Sequence, residues 1–253
     1  MSKVTLRSHS GAVCTYNGSR DGQTAVTAAG SNRIALGYVI HDDAGSGQDS
    51  GYPTLTTGGQ MTTLASNANG PRVSAYYTLD PAVGSQTMVS HLNNGQSWAM
   101  YLAAFDNVVQ QAPPNEYEWG GTPTDNIATD HGSDMVYSLV GRFRDGDHGE
   151  AAYTPASGVT EMVEGVSPGD TWGDVTEVRY AGGYDYGEPA PGGTTTVGWN
   201  QSSDHVMYTT HLKAIPQRNN AILLLSILPG LLVPAGFGKL LVPQLLGLWK
   251  DAF

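Results

Sequence analysis

RVSAYYTLDPAVGSQTMVSHLNNGQSWAMYLAAF, residues 72–105, decides the fold class. Three runs within it, Arg72 to Leu79, Thr87 to Leu92 and Ser97 to Phe105, alternate apolar and small polar residues and are rich in β-branched and aromatic side chains. Asp80-Pro81 and Asn93-Asn94-Gly95 separate them with turn chemistry. A period of two with Pro, Gly and Asn at the breaks predicts antiparallel strands joined by tight turns.

The same texture runs outward in both directions. Further strands are predicted at Asn32 to His41, Gln60 to Ser66, Met135 to Arg144, Val159 to Val166, Val175 to Ala181, Thr194 to Trp199 and Asp204 to Ala214. Val4 to Ser8, Ala12 to Tyr16 and Thr24 to Ala28 form a shorter set. No stretch before residue 216 carries a helical period. The prediction is an all-β antiparallel sandwich, of jelly-roll type, over residues 1–215, because alternating strands must bury one face against a second sheet.

The two halves also echo each other. Ser31 to Leu36 is matched by Ser133 to Ser138, Gly59 to Leu64 by Gly158 to Val163, and Ser97 to Tyr101 by Asp204 to Tyr208. Each half then holds about five strands, read as the two halves of one jelly roll or as an old duplication. Gln110 to Gly132, rich in Pro, Asn, Gly and Thr, is read as the connection between them.

The series SNRIALGYVI, GGQMTTLAS, RVSAYYTLDPAVGSQTMVSHLNNGQSWAMYLAAF and TTTVGWNQSSDHVMYTTHLKAI resembles a loosely defined group of jelly-roll modules. Such modules occur in bacteriophage virion proteins and bacterial surface proteins. The likeness spans roughly residues 4 to 215. It implies the fold, and the group carries no catalytic motif to transfer.

Composition narrows the function classes. Twelve Lys plus Arg stand against 23 Asp plus Glu, a net charge of -11, so a nucleic-acid backbone would be repelled over most of the surface. Cys14 is the one cysteine, which excludes an intrachain disulfide, a thiolate zinc site or an iron–sulfur cluster within a single chain. Residues Met1 to Ser10 lack the apolar run of a secretory leader, so the expectation is a removed leader or synthesis in the cytoplasm.

Residues 216–253 read differently from the rest. Ala221 to Gly238 carries no charge, and the apolar character continues to Trp249 with Lys239 and Gln244 as interruptions. Pro229-Gly230, Pro234, Gly236, Gly238, Pro243 and Gly247 break the run too often for one straight transmembrane helix. The prediction is two short helices, Asn220 to Leu228 and Phe237 to Trp249. Leu223, Leu224, Leu228, Leu231, Leu232, Phe237, Leu241, Leu245, Leu248 and Trp249 supply the assembly surface. Each large apolar side chain gains roughly 1.5–3 kcal/mol on burial, so something must cover them. That cover is the parent body, neighbouring subunits, or a membrane met shallowly by residues 221–249.

Chemistry-bearing clusters are few. Asp145, Asp147 and Glu150 crowd a turn and offer the hard oxygens that Ca2+ requires, although Asp and Gly are also ordinary turn residues. Tyr184, Asp185 and Tyr186 combine two rings with a carboxylate, suited to stacking on and hydrogen-bonding a sugar; core packing of the rings is the competing reading. His205 and His211 share a side of one strand but stand too far apart for one metal. Gly95-Gln96-Ser97-Trp98-Ala99 lacks the strand-to-helix setting of a nucleophile elbow. A hydrolase reading would need a dispersed carboxylate pair, such as Asp145 with Glu161, for acid–base work on glycosides.

The function expected from these features is non-enzymatic and needs no cofactor, Ca2+ aside. It is a structural protein of a bacteriophage particle, a homo-oligomer bound to other virion proteins and docked by its tail. The alternative is a cell-surface adhesin or carbohydrate-binding module with a membrane-associated tail.

Overall fold

The computed structural model describes residues 2–14, 21–41, 53–56, 59–66, 72–91, 98–119, 123–144, 153–167, 177–187, 193–200 and 205–216. Met1–Ile215 forms one compact unit. The predicted helical tail, with every assembly residue named above, lies outside the described residues. So do Asp145, Asp147 and Glu150.

The first half supplies β1 (Thr5–Cys14), β2 (Asp21–Ala28), β3 (Ile34–His41), β4 (Thr54–Leu55), β5 (Gly59–Gln60), β6 (Thr62–Ser66), β7 (Arg72–Leu79), β8 (Gly84–His91) and β9 (Trp98–Asp106). The second supplies β10 (Asn115–Trp119), β11 (Thr124–Thr129), β12 (Met135–Arg144), β13 (Thr160–Ser167), β14 (Glu177–Tyr186), β15 (Gly193–Gly198) and β16 (Val206–Leu212). Every pairing is antiparallel, and no helix occurs among the described residues, so the chain is all-β as its alternation predicts.

Four sheets result, in the orders β1-β9-β3-β7-β6, β2-β8-β4-β5, β10-β16-β12-β14-β13 and β11-β15. Side chains from opposite faces of β3 explain how they stack. Ile34, Leu36, Tyr38 and Ile40 enter a core shared with Met135, Tyr137 and Leu139 of β12, so the two five-stranded sheets pack face to face. Ala35 and Val39 point the other way, into a core with Val26 of β2, Leu55 of β4 and Met88 of β8. On the far side, Val136 and Val140 of β12 meet Ile127 of β11, Val197 of β15 and Trp199. The central strands β9 and β16 are therefore covered on both faces and buried at every residue, whereas β11 and β15 keep alternate residues exposed.

The two halves repeat one topology. With β1, β9, β3, β7 and β6 set against β10, β16, β12, β14 and β13, the five-stranded orders coincide; β2-β8 likewise matches β11-β15. Register confirms the match. Ile34 lies opposite Leu79 and Phe105, as Met135 lies opposite Tyr186 and Leu212. A bulge interrupts β6 between Thr63 and Ala65, and β13 between Glu161 and Val163, at the same rung. Each half thus builds its own pair of sheets.

Three sequence expectations are corrected. Gln110 to Gly132 is not a bare connection, because β10 and β11 lie within it; one is a sheet edge and the other faces solvent, so neither needs an apolar run. Thr5 to Ser8 and Ala12 to Cys14, from two separately predicted strands, belong to one strand, β1, whose register shifts between Leu6 and Ser8; Thr15 and Tyr16 lie outside the described residues. The sequence match of Trp98–Tyr101 to His205–Tyr208 has the structural register, but that of Ile34 to Val136 is slipped by one, which in a pleated strand exchanges the faces.

Candidate binding and assembly surfaces

Tyr184, Asp185 and Tyr186 end β14, and strand alternation separates them. Both rings turn toward the central core and are half-buried, packed edge to face at 5.6 Å and 82°. Lys3 Nζ stands 3.2 Å from the Tyr186 ring centre, and the Tyr186 hydroxyl donates to the Val4 carbonyl oxygen at 3.2 Å. Burial, with Tyr184 adding, raises the Tyr186 pKa above its ordinary value. Asp185 faces the opposite side, near Gly158, and its Oδ1 accepts from the Tyr186 amide at 2.7 Å. The carboxylate and the rings do not converge on one surface.

Glu161 is exposed at the β13 bulge, and Asp145, its proposed partner, lies outside the described residues. No group of three His, Cys, Asp or Glu among the described residues could hold a metal ion. No helix among them is long and apolar enough to cross a membrane.

The structure brings together two polar centres that sequence reasoning missed. The first is Asp134, 1% exposed, just before β12. Its Oδ2 accepts from the amides of Asp130 and His131 at 3.1 and 3.2 Å and lies 3.1 Å from His211 Nε2, while Oδ1 accepts from the Ala214 amide at 2.8 Å. Lys213 and Asp130 close the outside with an ion pair of 2.8 Å, which holds the exposed Asp130 carboxyl below its usual pKa. His205, just before β16, and His211 within it lie on the side that turns away from the central core, six positions apart, as their spacing predicts. His211 spends its Nε2 on Asp134. Only the Ser-Asp pair before a strand hinted at this node, and such pairs are common in turns.

The second centre is a group of phenols on the seam between the halves. Tyr38 and Tyr101 come from the first half, Tyr137 and Tyr180 from the second. Their ring centres lie 5.7 Å apart for Tyr38–Tyr137, 6.2 Å for Tyr101–Tyr137 and 6.4 Å for Tyr101–Tyr180. The Tyr38 hydroxyl shares a hydrogen bond of 3.2 Å with Thr210 Oγ1. Those of Tyr101 and Tyr137 feel each other electrostatically but make no hydrogen bond of normal geometry. Burial raises the pKa of all four. All four lie in predicted strands, but that four hydroxyls meet there follows only from how the sheets face.

No family model matches the chain, and neither does any curated protein or solved structure.

Proposed function

We propose that the chain is a non-enzymatic structural component of a virus particle, built from two β-sandwiches of jelly-roll type and docked into a multimeric assembly through residues 216–253. The observation that carries this reading is the repeated strand order. In an eight-stranded jelly roll the chain alternates between two sheets, as β1-β9-β3-β7 and β2-β8-β4-β5 do here, and viral capsids are among the principal users of that fold. In the second half, the single bridge of Pro155 to Trp199 occupies the place of β4.

Two such units joined across a buried seam suit a building block that must keep its shape while neighbours pull on it. The uncharged stretch Ala221 to Gly238 then supplies the adhesive segment, since apolar side chains left in water forfeit their burial energy. Its partners are further copies of the chain and other virion proteins.

Light scattering of the full-length chain and of a form ending at Ala214, each with and without detergent, tests this. A defined oligomer without detergent that becomes monomeric on truncation supports the assembly role. A clean full-length monomer without detergent would count against it. A full-length form that needs detergent, recovered with membranes and binding glycans, would favour the surface adhesin instead.

A further inference from the structure

We propose that Asp134 is the clamp that holds the chain at Ala214, where β16 has ended and residues 216–253 begin, a role that rests on those residues being the assembly segment. Three separate pieces of chain meet at its buried carboxylate: the turn at Asp130 and His131, strand β16 through His211, and the exit of that strand at Ala214. Ala214 is followed by Ile215 and by Pro216, the last described residue. The Val109 amide donates to the Lys213 carbonyl oxygen at 2.9 Å, and the Ile215 amide to that of Asn107 at 3.2 Å, which ties the same exit to the connection between the halves.

The internal repeat provides a comparison within one molecule. Ala214 occupies the rung of Asn107, where the first half runs on toward β10. There the Asn107 amide donates to a backbone oxygen, that of Ser31, at 3.0 Å. The position matching Asp134 is Arg33, whose guanidinium donates to the carbonyl oxygens of Pro81 and Gly30. A neutral acceptor thus serves where the chain continues into another strand, and a carboxylate stands where it departs for the tail. Charge-assisted bonds of this kind are roughly twice as strong as neutral ones. A carboxylate stripped of donors is also costly to keep buried, so the clamp resists a pull from the tail better than the bond it replaces.

Hydrogen–deuterium exchange and mass as a function of concentration, both on the full-length chain, test the clamp. Asp134→Asn must present an NH2 either to the Ala214 amide or to the turn amides. Exchange at one of these sites is expected to rise about 10-fold or more. The Val108 amide, bonded to the Asn32 backbone oxygen, should exchange as before. The concentration for half-assembly should rise by about the same factor, about 10-fold.

Should Asp134→Asn unfold, Ala214→Pro removes the donor to Oδ1 and leaves the carboxylate in place, at the cost of fixing φ at residue 214 and restricting Lys213. Ala214 faces Val108 in a bridge whose hydrogen bonds are made by Lys213 and Ile215, so that bridge survives. The same loss of assembly is expected, compared at a temperature where both chains are fully folded. Assembly unchanged in a folded variant would overturn the proposal, as would wild-type protection at Ala214 and at the turn amides in folded Asp134→Asn. A wild-type chain that is monomeric at every concentration would instead sink the assembly reading, while the exchange data would still report whether the carboxylate holds the exit.

Discussion

Tyr38 and Tyr137 lie in the same buried layer and differ in one hydrogen bond. Tyr38→Phe removes a hydroxyl bonded to Thr210 Oγ1, which keeps its bond to Asn115 Oδ1, so the lost buried hydrogen bond should cost about 1 kcal/mol in a urea melt. Tyr137→Phe removes a buried hydroxyl that makes no such bond, and should be neutral or stabilising. Equal losses in the two variants would mean that the Tyr137 hydroxyl has a partner in solution. The strands that carry both residues were legible in the sequence; the difference between the two hydroxyls was not, because it depends on which sheet lies opposite.

At the scale of strands, Gly22 and Gly141 make a second contrast. A Cβ at Gly22 of β2 would fall 1.9 Å from the Trp98 ring, a rigid body held in the core. Gly22→Ala should therefore destabilise by about 1–3 kcal/mol. A Cβ at Gly141 of β12 would meet the Ile40 Cδ1 atom at 2.9 Å, the movable end of a side chain, so Gly141→Ala should cost clearly less in the same denaturation assay. Neither requirement shows in the sequence, where Gly22 lies just before a predicted strand and Gly141 inside one, with nothing to say what either faces. The strands that were legible, such as β7 and β12, bury regular apolar positions. β10 and β11 were missed because Asn115–Trp119 is an edge and Thr124–Thr129 keeps Thr124, Asn126 and Ala128 in water.

For the whole molecule, the seam makes two global measurements informative. Since the five-stranded sheets of both halves share one core, thermal unfolding of the body should be a single cooperative transition by calorimetry. Two resolved transitions would show that the halves are energetically independent. Alkaline pH acts on the same seam. Burial raises the pKa of Tyr38, Tyr101, Tyr137 and Tyr180 above the ordinary value of 10.0, so between that value and their native ones the folded chain holds protons that the unfolded chain releases. Stability is full below about pH 10 and falls as pH rises through the native values. Absorbance at the phenolate band, followed with circular dichroism, should show these four ionising only as the fold is lost.

By itself, the sequence determined that the chain is all-β, that its strands turn tightly, that its halves correspond, and that residues 216–253 differ in kind. Periodicity, turn residues and charge are local properties, and a single chain displays them without reference to what lies opposite. Only the tertiary structure decided that each half builds its own two sheets, that β9 and β16 are covered on both faces, and that Asp134 lies beside His211 and Ala214. The physical reason is that a period of two says which side chains share a face and never what that face meets. A one-residue slip, such as that between Ile34 and Val136, leaves the apolar pattern nearly unchanged while exchanging inside for outside.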